Sequence, residues 1–135
     1  MKRRFFKNEK GQAMVEFAIV LPLLLLILCG ILDFGWIYFN KYKVEDATYQ
    51  GARFAFVAIS RSTDPTADDT TIRNNTANFV RQGLPGNGAN ADVTVTITAD
   101  TITVDVENRV NCLTIVGQTF LGRTYNAQST SVAAR

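Results

Sequence analysis

The sequence predicts an α+β fold: a long N-terminal helix, membrane-spanning and then amphipathic, packed on a small antiparallel sheet of about three strands with one short extra helix. Three observations predict it. No charged residue occurs from Phe17 to Leu32. After Pro22 there is no proline before Pro65, so the helix can continue well past the apolar run. Between Asp92 and Val110, β-branched residues alternate with threonines and acids at the two-residue period of a half-buried strand.

The apolar run comes first. Phe17 to Phe39 is interrupted only by Asp33, and as a helix it covers roughly 34 Å, enough for a hydrocarbon core of about 30 Å. The twelve Leu, Ile, Val and Phe residues from 17 to 32 favour insertion by about 4 to 7 kcal/mol, more than the roughly 3 kcal/mol that a central Asp costs. Lys2, Arg3, Arg4, Lys7 and Lys10 precede the run with only Glu9 against them, a net of +4. Basic flanks stay on the cytoplasmic side, so the expected orientation is N-terminus in, with the bulk of the chain outside. Trp36, Tyr38 and Tyr42 fit the outer interface. A secretory signal peptide is the rival reading, but its apolar core is shorter and ends at a small-residue cleavage site, whereas Gly30 is followed by Phe34, Trp36 and Tyr38.

The helix is expected to continue outside the membrane to about Ser60. Ala47, Gly51 and Ala55 recur every four residues, with Ala52 beside them. Such a small-residue stripe allows close approach of another element, either the chain's own outer domain or a neighbouring subunit. Pro22 removes one helical hydrogen bond and is a candidate kink within the span. Asp33 is the intramembrane polar residue, read either as a contact for a polar group of a partner or as a side chain reaching the outer interface beside Trp36.

"SRSTDPTADD", residues 60–69, is a turn-rich break. A short helix follows, with Asp69 as its candidate N-cap, Ile72, Thr76, Phe79 and Val80 on one face, and Gly83 and Pro85 at its end. Val93, Val95 and Ile97, then Ile102, Val104 and Val106, make a hairpin that turns at residues 99–101 and has one apolar face. Residues 125–134 read as a third strand. The resulting organisation is a basic leader at 1–11, a span at 12–39, its extracytoplasmic continuation at 40–60 and a small α+β domain at 61–135.

Composition excludes several functions. The total charge is +2; setting the +4 leader aside leaves −2 for residues 12–135, so the basic patch is a membrane-orienting flank and no nucleic acid partner is expected. There is no histidine, no nucleophile–base pair and no Gly-rich phosphate loop, so no enzyme activity is expected. Cys29 falls in the apolar run and Cys112 far downstream; they would lie in different zones, so no bridge between them, no metal site and no cofactor are expected.

One acid remains, in "KGQAMVEF". Glu16 stands five residues after Gly11 and directly before the apolar run. From these residues alone it reads equally as an interfacial side chain among the headgroups. The segment, however, resembles the prepilin peptidase site of type IV pilin-like proteins: a basic leader, Gly11, the cut, then Glu16 as fifth residue of the mature chain. The larger frame, "GQAMVEFAIVLPLLLLILCGILDFGWIYF" followed by "DATYQGARFAF", resembles the TadE-like family of tight-adherence (Tad) pilus proteins over about residues 10–58.

The resemblance implies a minor pilin or pseudopilin of the bacterial inner membrane, cut between Gly11 and Gln12 by a prepilin peptidase. It also implies that Glu16 pairs with the new α-amine of a neighbouring subunit, because a carboxylate in a low-dielectric setting is strongly driven toward a cation. The implied partners are the peptidase, other pilins and pseudopilins, the inner-membrane assembly platform and membrane lipid. Two alternatives stay open: an uncleaved bitopic scaffold of the pilus or secretion machinery, and a membrane-anchored module that binds an extracellular ligand.

Overall fold

The computed structural model describes residues 9–62 and 69–134. Lys2, Arg3, Arg4 and Lys7 of the leader, and Pro65 and Asp68 of the break, lie outside the described residues.

One helix, α1, runs from Glu9 to Arg61, about 80 Å. Its two halves have different surroundings. From Met14 to Leu32 large apolar side chains are exposed on every side, and none of its most apolar stretch is buried. A helix apolar all round has no solvent-facing stripe, so this half is long and apolar enough to cross a bilayer. The second half has a buried stripe. Asp33, Asn40, Val44, Ala47, Thr48, Gly51, Ala52, Ala55 and Ile59 are buried, while Lys41, Glu45, Tyr49 and Arg53 face outward. The three-to-four-residue spacing is that of one helix face laid against a domain.

The domain follows in chain order. Helix α2 covers Asp69–Gly83 and buries Ile72, Thr76 and Val80. A short 3-10 turn spans Pro85–Gly88. Strands β1 (Ala91–Ile97) and β2 (Thr101–Asn111) form a hairpin, closed where the Thr98 N–H donates to the Thr101 carbonyl at 2.8 Å. Helix α3 covers Ile115–Phe120, and β3 covers Thr124–Ala134. The strands are ordered β1-β2-β3, all antiparallel.

The register explains the core. Val93 pairs with Val106, Val95 with Val104 and Ile97 with Ile102, so one sheet face presents a continuous apolar layer. That layer meets Val44 and Ala55 of α1 and Val80 of α2 in a single cluster. Strand β3 contributes small residues: Ala127, Ser129, Ser131 and Ala133 alternate inward and let α1 lie close. Gly51 lies in the crossing of α1 and α2, where a Cβ would collide with Val80 Cγ2 and lie 3.7 Å from Val104 Cγ1. Phe79 belongs to the edge of the core rather than its centre: it is partly exposed and stacks on Phe54, ring centroids 4.8 Å apart.

The α+β architecture is as expected, with three differences in detail. The helix begins before residue 12, so Gly11 is already helical. Asp69 is the first residue of α2 and its carboxylate is held by Arg73 at 3.0 Å, one turn along. A second short helix, α3, lies in the β2–β3 connection, where no element was expected. At six residues it is too short for an apolar period to register.

Candidate functional site

Two acids bracket the exposed apolar half of α1. Glu16 stands at one end and Asp33 at the other, about 26 Å apart along the axis. No charge falls between them. Their environments are opposite.

Glu16 is exposed. Its Oε1 accepts a hydrogen bond from Gln12 Nε2 at 3.1 Å, four residues earlier. This pairing places Gln12 and Glu16 on one face, with the Gln12 main-chain nitrogen about 6 Å down the axis. A cut between Gly11 and Gln12 would turn that nitrogen into a cation on the same helix face as the carboxylate. The structure places Gly11 and Gln12 within the first turns of α1 rather than in an extended segment, so a protease that reads an extended strand must first unwind this end.

Pro22 sits between the acids, and α1 runs unbroken through it. Lacking an N–H, it leaves the Ala18 carbonyl without its helical donor.

Asp33 is buried, with 1% of its surface exposed. The Leu113 N–H donates to Oδ1 at 3.0 Å and the Thr114 N–H donates to the same oxygen at 2.8 Å. The Thr114 hydroxyl donates to Oδ2. These bonds make Asp33 the acceptor for the start of α3, whose Thr114 also caps the helix by accepting from the Gly117 N–H at 3.1 Å. The approach is close enough that a Cβ at Gly117 would collide with Asp33 Oδ2. Three residues along α1, Trp36 Nε1 donates to the Asn111 carbonyl at 3.2 Å. Asn40, also buried, donates through Nδ2 to the Trp36 carbonyl at 2.8 Å. Asp33 therefore neither awaits a partner's polar group nor reaches toward water. It holds the chain's own β2–β3 connection against α1.

The small-residue stripe is likewise occupied within the chain. Ala47, Gly51, Ala52 and Ala55 are buried against α2 and the sheet, with Ala47 Cβ 3.4 Å from where a Cβ on Gly83 would lie. These residues position the domain on its helix and leave the outward faces of α1 for other contacts. Arg53 is exposed. Cys29 and Cys112 are unbridged, and the buried Cys112 thiol donates to the Gly122 carbonyl at 3.2 Å.

The residues missed from sequence are Leu113, Thr114 and Gly117. The only available signal was "LTIVG", a threonine directly before a short apolar run that ends in glycine, which says nothing of an acid 81 positions earlier.

Comparison with known proteins adds one finding. No curated protein and no solved structure matches the chain. The family model of TadE-like proteins matches residues 11–53, which begin at the glycine of the expected cut and end in the outer half of α1. Over residues 11–53, the segment that carries both acids and most of the small-residue stripe, this chain is similar to TadE-like proteins.

Proposed function

We propose that this protein is a minor pilin or pseudopilin of a Tad-type pilus, inserted with its N-terminus in the cytoplasm, trimmed after Gly11 and active through the packing of its long helix with other pilin-like subunits. Its role is mechanical. Glu16 is a docking group rather than a catalyst, and the outer domain helps to initiate, prime or cap a filament.

The observation that carries this reading is the exposed Glu16 one turn above Gln12, at the base of a TadE-like segment whose apolar half is uncovered on every side. A charged side chain there has strong reason to find a cation. The α-amine created by cleavage, on this subunit or its neighbour, is of the right charge and at the right depth. The apolar surface from Met14 to Leu32 suits both states of a pilin, lipid-exposed before assembly and helix-packed afterwards.

The helical conformation of Gly11 and Gln12 favours a second reading, an uncleaved bitopic scaffold of the same machinery. Chromosomal Glu16→Ala and Glu16→Gln variants separate the two when surface filaments are counted by electron microscopy. A docking carboxylate predicts loss of filaments in both variants at wild-type protein level. Wild-type filament numbers in both would remove Glu16 from assembly and favour the scaffold.

A further inference from the structure

The β2–β3 connection is far longer than its geometry requires. Asn111 and Thr124 are paired neighbours in an antiparallel ladder, and such strands are ordinarily joined by two to five residues. Here residues 112–123 intervene. The extra length carries α3 off the end of the sheet and down α1 to Asp33, where Leu113 and Thr114 are fastened.

What this segment exposes is apolar. Ile115 is 82% exposed and Phe120 78%, with Leu113 and Leu121 more than half exposed. No charged residue occurs from Cys112 to Gly122. Its polar side chains bond to the chain itself, although Gln118 and Thr119 stay exposed: Gln118 donates to the Cys112 carbonyl at 3.2 Å, Thr119 to the Ile115 carbonyl at 2.9 Å and Thr114 to Asp33. Internal satisfaction of polar groups is what a non-aqueous environment demands.

The height of the segment on α1 identifies what covers it. Asp33 closes the uncharged run that starts at Phe17, roughly 24 Å along the axis, so α3 sits in the outer part of a span whose hydrocarbon zone is about 30 Å thick. Trp36, Tyr38 and Tyr42 are exposed at this level and just above, in the position of an aromatic belt.

We propose that residues 113–121 form a second membrane contact, with Leu113, Ile115, Phe120 and Leu121 embedded among the headgroups and upper acyl chains of the outer leaflet. The occupant of this apolar surface is phospholipid. The contact fixes the tilt and rotation of the outer domain relative to the bilayer, because α3 is bonded to α1 at Asp33 and rooted in β2 and β3. The inference rests on the reading of α1 as a membrane span and adds a lipid-facing surface to it.

The test uses the full-length chain in nanodiscs of phosphatidylcholine and phosphatidylglycerol at a ratio of about 3:1. The photoreactive residue p-benzoylphenylalanine replaces Phe120 or Ile115, and in parallel Leu24 (mid-span) or Phe56 (outer half of α1). Intact mass after irradiation distinguishes a phospholipid adduct from a crosslink to a second copy. The expected result is a lipid adduct at 120 and 115 within about threefold of the yield at 24, and at least about tenfold above that at 56. Lipid yields at 120 and 115 as low as at 56, or crosslinking of both into a second copy, overturn the proposal. Absence of an adduct at 24 overturns the span reading itself, and the proposal with it.

Discussion

Asp33 and Thr114 lie 81 positions apart and are joined twice, through the Thr114 N–H to Oδ1 at 2.8 Å and through the Thr114 hydroxyl to Oδ2. With the Leu113 N–H on the same carboxylate, this is, among the described residues, the lowest polar tie between the outer domain and α1. An acid in this position has a structural duty that its place in an apolar helix did not announce.

The tie predicts how Asp33→Asn and Asp33→Ala differ. Asparagine keeps one carbonyl oxygen for the two N–H donors but places an amide opposite the Thr114 hydroxyl. Alanine removes every acceptor and leaves both N–H groups near the apolar zone without one. Hydrogen exchange at Leu113 and Thr114 in detergent should accelerate by about tenfold or more in Asp33→Ala, less in Asp33→Asn, with β1 unchanged. Equal protection in Asp33→Ala and wild type would show that the tie does not hold the segment.

Gly51 gives a prediction with an inverted sign. Gly→Ala within a helix ordinarily stabilises by about 0.5–1 kcal/mol. Here the new methyl meets Val80, a stiff β-branched side chain with no exposed surface, and overpacking costs about 1–3 kcal/mol. Thermal unfolding in detergent should show Gly51→Ala less stable than wild type. Adding Val80→Ala, which vacates the clash, should make the double variant more stable than the sum of the two single effects.

The sheet predicts a contrast between neighbours. Ile102 is fully buried and Thr103 lies on the opposite face. Ile102→Ala should cost about 2–5 kcal/mol and Thr103→Ala less than about 0.5–1 kcal/mol. Similar losses from both would mean that the pleat does not separate core from solvent as described.

How much of this was legible in the sequence depends on whether the signal was local. The hairpin was, because Val93, Val95 and Ile97 and then Ile102, Val104 and Val106 state their face by alternation, and the observed ends differ from the expected ones by a residue or so. The third strand and the long helix were legible for the same reason, each being long and uniform. The small-residue stripe was legible as a packing surface, but not its partner: only the folded chain puts Val80 over Gly51 and turns the stripe toward its own domain. Helix α3 was not legible. Six residues hold fewer than two turns, and its start is secured by Asp33, from another element altogether. Glu16 was legible as a singular residue because an acid beside a long apolar run is costly anywhere in the chain, yet the purpose proposed for it rests on groups that lie outside this chain.

Glu16 is exposed and far from the domain's core, and among the described residues its hydrogen-bond partner is Gln12. Glu16→Ala should leave thermal unfolding of the outer domain within about 0.5 kcal/mol of wild type while removing the protein from filaments. A comparable loss of stability would assign it a structural role instead.

The measurement that tests the central claim most directly is the intact mass of the membrane-extracted protein, made in cells with and without the prepilin peptidase. A docking carboxylate that pairs with a new amine requires a chain beginning at Gln12 when the peptidase is present and at Met1 when it is absent. A chain that begins at Met1 in both would contradict the pilin pathway and leave the uncleaved scaffold.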